Sequence, residues 1–155
     1  AIHHPERVRK LILINAPGIE LDGHVVYAGF GASMNTVEEF NAVMDRVFFR
    51  RPKMPRPVVQ YLMAQMRDNF DFTNSLVRAV KEGEDFDLIE HLGEVRAPTL
   101  VLWGRHDVVV KMNVAEAYRD RIPNARLVLL DNTAHSPQLE APPVVAAGIA
   151  KFLSS

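Results

Sequence analysis

Two ionisable residues in the second half of the chain, Asp107 and His135, each follow a short apolar run. Asp107 comes four residues after the run Thr99–Trp103, and His135 comes five residues after the run Leu127–Leu130. If both runs are strands of a parallel sheet, both side chains project from the same edge of that sheet. A carboxylate beside an imidazole fixes the ring tautomer, and the imidazole can then act as a general base toward a hydroxyl. The pair therefore predicts acid–base chemistry.

Three unbroken apolar runs, Leu11–Ile14, Thr99–Trp103 and Leu127–Leu130, must position these residues. Runs of this kind, without polar alternation, are typical of a parallel sheet that is covered on both faces. Between the second and third runs we predict a helix from about Val114 to Arg121, with Asn113 as its capping residue. Strand, helix and strand in this order predict a right-handed βαβ unit.

Residues 19–96 differ from the rest, because they contain helical patterns and no strand-like run. Thr36 and Glu39 match a capping box, which predicts the start of a helix. Three helices are predicted here and another at the end of the chain: Thr36 to about Phe49, Val58–Asp68, Phe72–Glu82, and a helix after Pro143. For the methionine and phenylalanine side chains of this segment, packing is favoured over the alternative that they line an apolar acyl or aryl pocket. These residues are Met34, Met44, Met63, Met66, Phe40, Phe48, Phe49, Phe70 and Phe72.

Taken in order, these pieces resemble the α/β-hydrolase superfamily. Pro98–Asp107 is similar to the seventh strand and acid turn of that family, an apolar strand followed by Gly-x-x-Asp. Ala134–Pro142 resembles the histidine loop, in which Gly-His precedes a short apolar stretch and Glu-x-Pro. Ala1–Ala16 resembles the end of the helix behind the nucleophile and the sixth strand. The spacing of 28 residues between acid and histidine is also typical of the family.

The resemblance implies an α/β fold, the C-terminal part of an α/β-hydrolase with parallel strands, flanking helices and a helical cap. It places residues 1–18 and 97–155 in the core and residues 19–96 in the cap. It also implies that Asp107 is the catalytic acid and His135 the base. Esterases, monoacylglycerol-type lipases and meta-cleavage-product hydrolases are the most similar members. Ala134 replaces the usual glycine, and Ser136 stands where biphenyl-type meta-cleavage hydrolases often carry tryptophan, which favours an ester substrate.

The family's nucleophile is the main departure. It lies on Gly-x-Ser-x-Gly at a strand-to-helix turn, and no such motif occurs in these 155 residues. Gly29–Ser33 is only superficially similar. Family members would place the serine roughly ten residues before Ala1, and the chain starts without methionine. The resemblance therefore implies that the serine lies outside this chain, and we expect the chain alone to be inactive.

Three functions remain open at this stage. The first is a serine hydrolase that cleaves a small apolar ester, and the second is a hydrolase of C–C bonds in meta-cleavage products. The third is a non-catalytic relic that acts as an interaction module. Because the strand Leu11–Ile14 would have an open edge, we also expect the chain to bind its missing N-terminal half or to self-associate.

Composition argues against several other kinds of partner, namely nucleic acid, membrane, metal and cofactor. The net charge of −1 provides no field for nucleic acid, and no apolar run reaches the roughly 18 residues of a membrane span. There is no cysteine, and His3, His4, His24 and His91 have no ligand partner at useful spacing, so we expect neither a metal nor a cofactor. His106 is expected to face solvent. Ala1–Pro5 lacks the features of a signal peptide, so we expect a cytoplasmic protein.

Overall fold

The three apolar runs form one parallel sheet in a computed structural model, which describes residues 1–19, 21, 34–82 and 88–155, with the backbone alone over residues 80–82. The strands are β1 (Leu11–Ile14), β2 (Thr99–Gly104) and β3 (Ala125–Leu130). Their order is β1-β2-β3, both pairs are parallel, and Thr99 is in register with Leu11 and with Ala125. The predicted parallel sheet is therefore confirmed, and β3 begins two residues earlier than the apolar run indicates.

Some helices flank this sheet, and others come between its first two strands along the chain. The bounds are α1 (Val37–Val47), α2 (Arg56–Asp68), α3 (Phe70–Glu82), α4 (Met112–Arg121), α5 (Pro137–Glu140) and α6 (Pro142–Ser154), with 3-10 turns at Pro5–Arg7 and Ile89–Glu94. The described part of the chain contains no helix that combines the length and the hydropathy needed to cross a membrane.

The central strand β2 explains why both faces of the sheet are apolar. All six of its residues are buried. Val101 and Trp103 pack with residues of α4, whereas Leu100 and Leu102 pack with Val145 and Phe152 of α6. Alternate residues of a strand point to opposite faces, so an unbroken apolar run is what a sheet between two layers of helices requires. Strand β1 is only half-buried and pairs with β2 on one side.

The helix α1 begins as the sequence indicates. Thr36 Oγ1 accepts a hydrogen bond from Glu39 N at 3.1 Å, and the Glu39 carboxylate accepts from the backbone N–H groups of Asn35 and Thr36. These bonds, that from Asn35 first, hold the pKa of the Glu39 carboxyl below its usual value. The predicted capping box is therefore confirmed.

The predicted cap of α4 is wrong. The helix begins at Met112, Lys111 takes the capping position without a side-chain bond, and Asn113 lies inside the first turn. The preceding loop is fixed by Asp107 Oδ1, which accepts the N–H groups of Val109 and Val110. These bonds join residues two and three positions apart, and the turn that they form precedes a helix that begins two residues before the predicted Val114. Asn113 Oδ1 is buried and has no hydrogen-bond partner among the described atoms.

The helices α1 and α2 share an apolar cluster of their own. Met34, Phe40, Met44 and Met63 are its buried members, so these side chains pack as predicted. Met66 and Phe72, from the same predicted set, are exposed. Three other residues of the predicted cap range, Ile19, Leu92 and Val95, pack instead in the cluster beside β2 and α4. Gly29–Ser33 and His24 lie outside the described residues.

Candidate active site

Asp107 lies three residues after the end of β2, in a turn closed by its own N–H donating to Gly104 O at 3.1 Å. Its carboxylate is fully buried. Oδ1 accepts the backbone N–H groups of Val109 at 2.7 Å and Val110 at 2.9 Å. Four donors in all meet the two oxygens, because Oδ2 accepts from Asn15 and His135 as well. This is a site built for an ionised carboxylate, which accepts hydrogen bonds and donates none.

His135 lies in the loop between β3 and α5, and its ring meets that carboxylate. Nδ1 is 2.9 Å from Asp107 Oδ2, so the structure brings together the two residues that the sequence predicted to meet. The backbone N–H of His135 donates to the carbonyl of Val47, at the end of α1. The side chain is 20% exposed, and no described residue bonds to Nε2. An imidazole that donates from Nδ1 keeps a lone pair on Nε2, where it can accept a proton.

Gly104 allows the acid turn and the histidine loop to approach this closely. A Cβ at Gly104 would lie 1.9 Å from the carbonyl oxygen of Ala134 and 2.9 Å from that of Thr133. Those are backbone atoms, which cannot move aside as a flexible side chain can. The glycine of the Gly-x-x-Asp pattern is therefore required by contact with the loop that carries His135.

Asn15 also belongs to this site, although the sequence did not lead us to predict a role for it. It directly follows β1 and is buried, and its side chain contacts Asp107, Gly104 and Ala134. A signal was present, because a polar residue directly after a predicted parallel strand lies at the same sheet edge as Asp107 and His135.

Glu140 joins the histidine loop to the end of α1. Its Oε1 accepts from Phe49 N at 2.6 Å, and its Oε2 accepts from Ala134 N at 2.7 Å. The sequence pattern included this glutamate without indicating its role. Together with the bond from His135 N to Val47 O, the carboxylate holds the segment Val47–Phe49 against the loop that carries the imidazole.

Replacing Glu140 by glutamine should weaken this link. The introduced amide has one acceptor and one donor end, so either Phe49 N–H or Ala134 N–H loses its partner. We expect the Glu140→Gln substitution to lower the free energy of unfolding by about 1–3 kcal/mol, measured by urea denaturation. The matched control is Gln138→Glu, the reverse change at an exposed position of the same short helix, with an expected effect within about 0.5 kcal/mol. Equal stabilities for the two variants would contradict the assignment.

A cleft of about 780 Å³ lies between the α1–α2 region and the histidine loop. Asn132, Leu139 and Glu140 line it from the loop side. The opposite side is mostly apolar, with one arginine: Met44, Phe48, Phe49, Arg50, Pro52, Met54 and Leu62. The predicted apolar side chains are thus divided between packing and a cleft, and Met44 contributes to both.

Trp103, His106 and His91 make contacts of their own. Trp103 is fully buried, and its Nε1 donates to Val110 O at 3.2 Å. His106 is exposed as expected, and its ring also lies 4.4 Å from that of Phe49 between centroids. His91 Nδ1 is 2.7 Å from Glu94 Oε1. Over the residues with described positions, no three His, Asp or Glu side chains are grouped as a metal site would need.

Comparison with known proteins places this geometry in a family. The profile of the alpha/beta hydrolase fold family matches residues 1–142. Human monoacylglycerol lipase ABHD6 is 25% identical over 169 aligned positions, which cover 100% of this chain and 50% of that protein. Lipase 3 from Moraxella sp. (strain TA144) is 24% identical over 148 positions, which cover 91% of this chain and 47% of that protein.

A solved structure extends the likeness to three dimensions. The crystal structure of a membrane phospholipase A matches with a TM-score of 0.86 and 26% identity, covering 99% of this chain and 51% of that one. The chain spans about half the length of the relatives it matches. Because the family profile covers nearly the whole sequence and the parallel sheet agrees with it, the chain belongs to the alpha/beta hydrolase fold family.

Proposed function

We propose that this chain is the acid- and base-bearing part of a serine hydrolase that cleaves carboxylic esters of apolar acids. Asp107 is the acid, His135 is the general base, and the nucleophilic serine lies outside these 155 residues. The observation that carries the proposal is the bond of 2.9 Å between His135 Nδ1 and the buried Asp107 carboxylate, with Nε2 left without a described partner.

The proposed reaction uses His135 twice. Nε2 takes the proton of the serine hydroxyl while the serine oxygen attacks the ester carbonyl. Asp107 stabilises the imidazolium that forms. The imidazolium then gives that proton to the leaving alkoxide, which departs as an alcohol and leaves an acyl-enzyme. Water, deprotonated in the same way, releases the acid and restores the serine. The donors for the oxyanion lie with the nucleophile, outside this chain.

The apolar cleft supports the substrate class. Phe48, Met54, Leu62 and Leu139 line a space beside the histidine loop that suits a hydrocarbon acyl chain. The relatives named monoacylglycerol lipase and lipase also support an acylglycerol or a related apolar ester. We further propose that the edge of β1 not paired with β2 binds the segment that supplies the nucleophile, because backbone groups along a strand edge seek a partner strand.

An esterase assay tests the proposal directly. The residues encoded before Ala1 are determined, and the chain is expressed both with them and alone. With p-nitrophenyl butyrate, we expect turnover from the longer protein and none from the 155 residues alone, since the attacking atom is missing. His135→Ala in the longer protein should lower kcat by about 10³-fold or more.

Three outcomes would oppose the proposal. One is a preceding segment without a Gly-x-Ser-x-Gly motif, and another is a longer protein without esterase activity. The third is activity of the chain alone that His135→Ala abolishes, because a serine within these residues would then be the nucleophile.

A further inference from the structure

Asn15 reaches the acid–base pair from a third strand end. It directly follows β1, is 3% exposed, and has a backbone φ of 43°. Its own N–H still continues the sheet, donating to Leu102 O at 3.1 Å. Asparagine tolerates this left-handed conformation better than most residues, so the chain can leave the strand here while the side chain stays at the sheet edge.

The amide of Asn15 has three partners, and each lies on a different part of the site. Oδ1 accepts from Gly104 N at 3.1 Å, whereas Nδ2 donates to Asp107 Oδ2 at 2.5 Å and to Ala134 O at 3.2 Å. Only this amide orientation satisfies all three partners, because the first is a donor and the other two are acceptors.

These bonds connect both members of the pair. Asp107 Oδ1 accepts from two backbone N–H groups, and Asn15 Nδ2 is the donor that meets Oδ2 beside His135 Nδ1. The same Nδ2 holds the carbonyl of Ala134, directly before the histidine. We propose that Asn15 is a positioning residue that aligns the Asp107 carboxylate and the His135 imidazole. This inference rests on the proposed function and deepens it.

A carboxylate could not replace the amide. In Asn15→Asp, an acceptor oxygen would face Asp107 Oδ2 and Ala134 O, which are acceptors themselves. Protonation of the introduced carboxyl would restore one donor and hence part of the alignment. Among the described residues, the titratable groups that contact Asn15 or its partner carboxylate are Asp107 and His135. The variant is therefore expected to resemble the parent more at acidic pH than at alkaline pH.

The first test removes the amide without straining the backbone. Glycine favours a positive φ, so Asn15→Gly deletes the side chain alone. In the protein that includes the nucleophile, we expect kcat to fall by about 10- to 100-fold, since small misplacements of catalytic groups have effects of this size. KM should stay within about twofold, because Asn15 does not line the cleft. A kcat within about twofold of the parent would overturn the proposal.

The second test separates alignment from stability. We expect the ratio of kcat/KM for Asn15→Asp to that of the parent to fall by about tenfold or more from the acidic to the alkaline end of the pH profile. A residue that only stabilised the fold would give a ratio independent of pH, and that result would oppose the proposal.

Asn132→Gly, at the other asparagine with positive φ, is the control for Asn15→Gly and measures the effect of glycine on the free energy of unfolding.

A third readout does not need activity. The Nδ1 proton of His135, bonded to Asp107, should give a downfield proton resonance in the parent that weakens or shifts in Asn15→Gly. If the parent shows no esterase activity, the proposed function fails, and this resonance still decides the role of Asn15. A resonance that is unchanged in both Asn15→Gly and Asn15→Asp would overturn the inference.

Discussion

Replacing Asp107 by asparagine is expected to lower kcat of the proposed hydrolase, assayed together with its nucleophile-bearing segment, by about 10⁴-fold. The site dictates how the introduced amide must lie. Its oxygen is required where Val109 and Val110 donate their N–H groups, so its NH₂ must take the place of Oδ2. There it meets Asn15 Nδ2, which is a donor, and it donates to His135 Nδ1. The ring is then held as the Nε2–H tautomer, in which Nε2 has no lone pair to receive a proton.

Two measurements check this expectation. The esterase assay gives kcat, and ¹⁵N NMR of the imidazole shows whether the proton has moved from Nδ1 to Nε2. Asp131→Asn is the matched control, because Asp131 is exposed at the same sheet edge and, among the described residues, pairs with Arg105 alone, at 2.7 Å. Its kcat should stay within about twofold, as is usual for an exposed ion pair. Similar losses in both variants would show that charge at this edge matters and that tautomer control does not.

The substitution Gly104→Ala is expected to damage both the fold and the site. The added Cβ would lie 1.9 Å from Ala134 O, and contacts below 3.0 Å require a shift of backbone here. Because β2 is held by its pairing with β3 and by Asn15, the histidine loop must move by about 1 Å or more. We expect the free energy of unfolding to fall by about 3 kcal/mol and kcat by about 100-fold.

Gly93→Ala provides the control for that experiment. A Cβ at Gly93 meets no atom within 4 Å, so the same chemical change should alter the free energy of unfolding by no more than about 0.5 kcal/mol. Urea denaturation and the esterase assay on both variants make the comparison. If Gly104→Ala were as stable and active as Gly93→Ala, that result would contradict the close approach of Gly104 to the loop that carries His135.

The parallel sheet could be predicted from the sequence because a strand between two layers of helices appears in the sequence as an unbroken apolar run. In the runs at Leu11–Ile14 and Thr99–Trp103 the one polar residue, Thr99, is itself buried, and both runs became strands with the predicted direction. The capping box at Thr36 was equally predictable, since its bonds join residues three positions apart. The cap expected at Asn113 was wrong, because Asp107 Oδ1 accepts from Val109 and Val110 in a short-range turn directly before the helix, which begins at Met112.

The contact between Asp107 and His135 was also within reach of the sequence. Both residues follow neighbouring parallel strands, and the carboxyl ends of such strands lie together whatever the intervening chain does. Which of the apolar residues in the predicted cap would pack was not within reach. Met44 is buried and Phe72 is 64% exposed, although both lie on amphipathic helices, because exposure depends on which other helix lies opposite.

The sequence by itself therefore determined the strands, the start of α1 and the contact between Asp107 and His135. Only the tertiary structure decided how that pair is held. Asn15 and Asp107 are 92 positions apart, Phe49 and Glu140 are 91 apart, and Gly104 is required by a carbonyl of Ala134. The first two contacts depend on which donor faces which acceptor, and the third depends on how closely Gly104 approaches a carbonyl oxygen of another loop. Residue type and spacing carry no such information, because it arises only when separate strand ends are brought to one edge of the sheet.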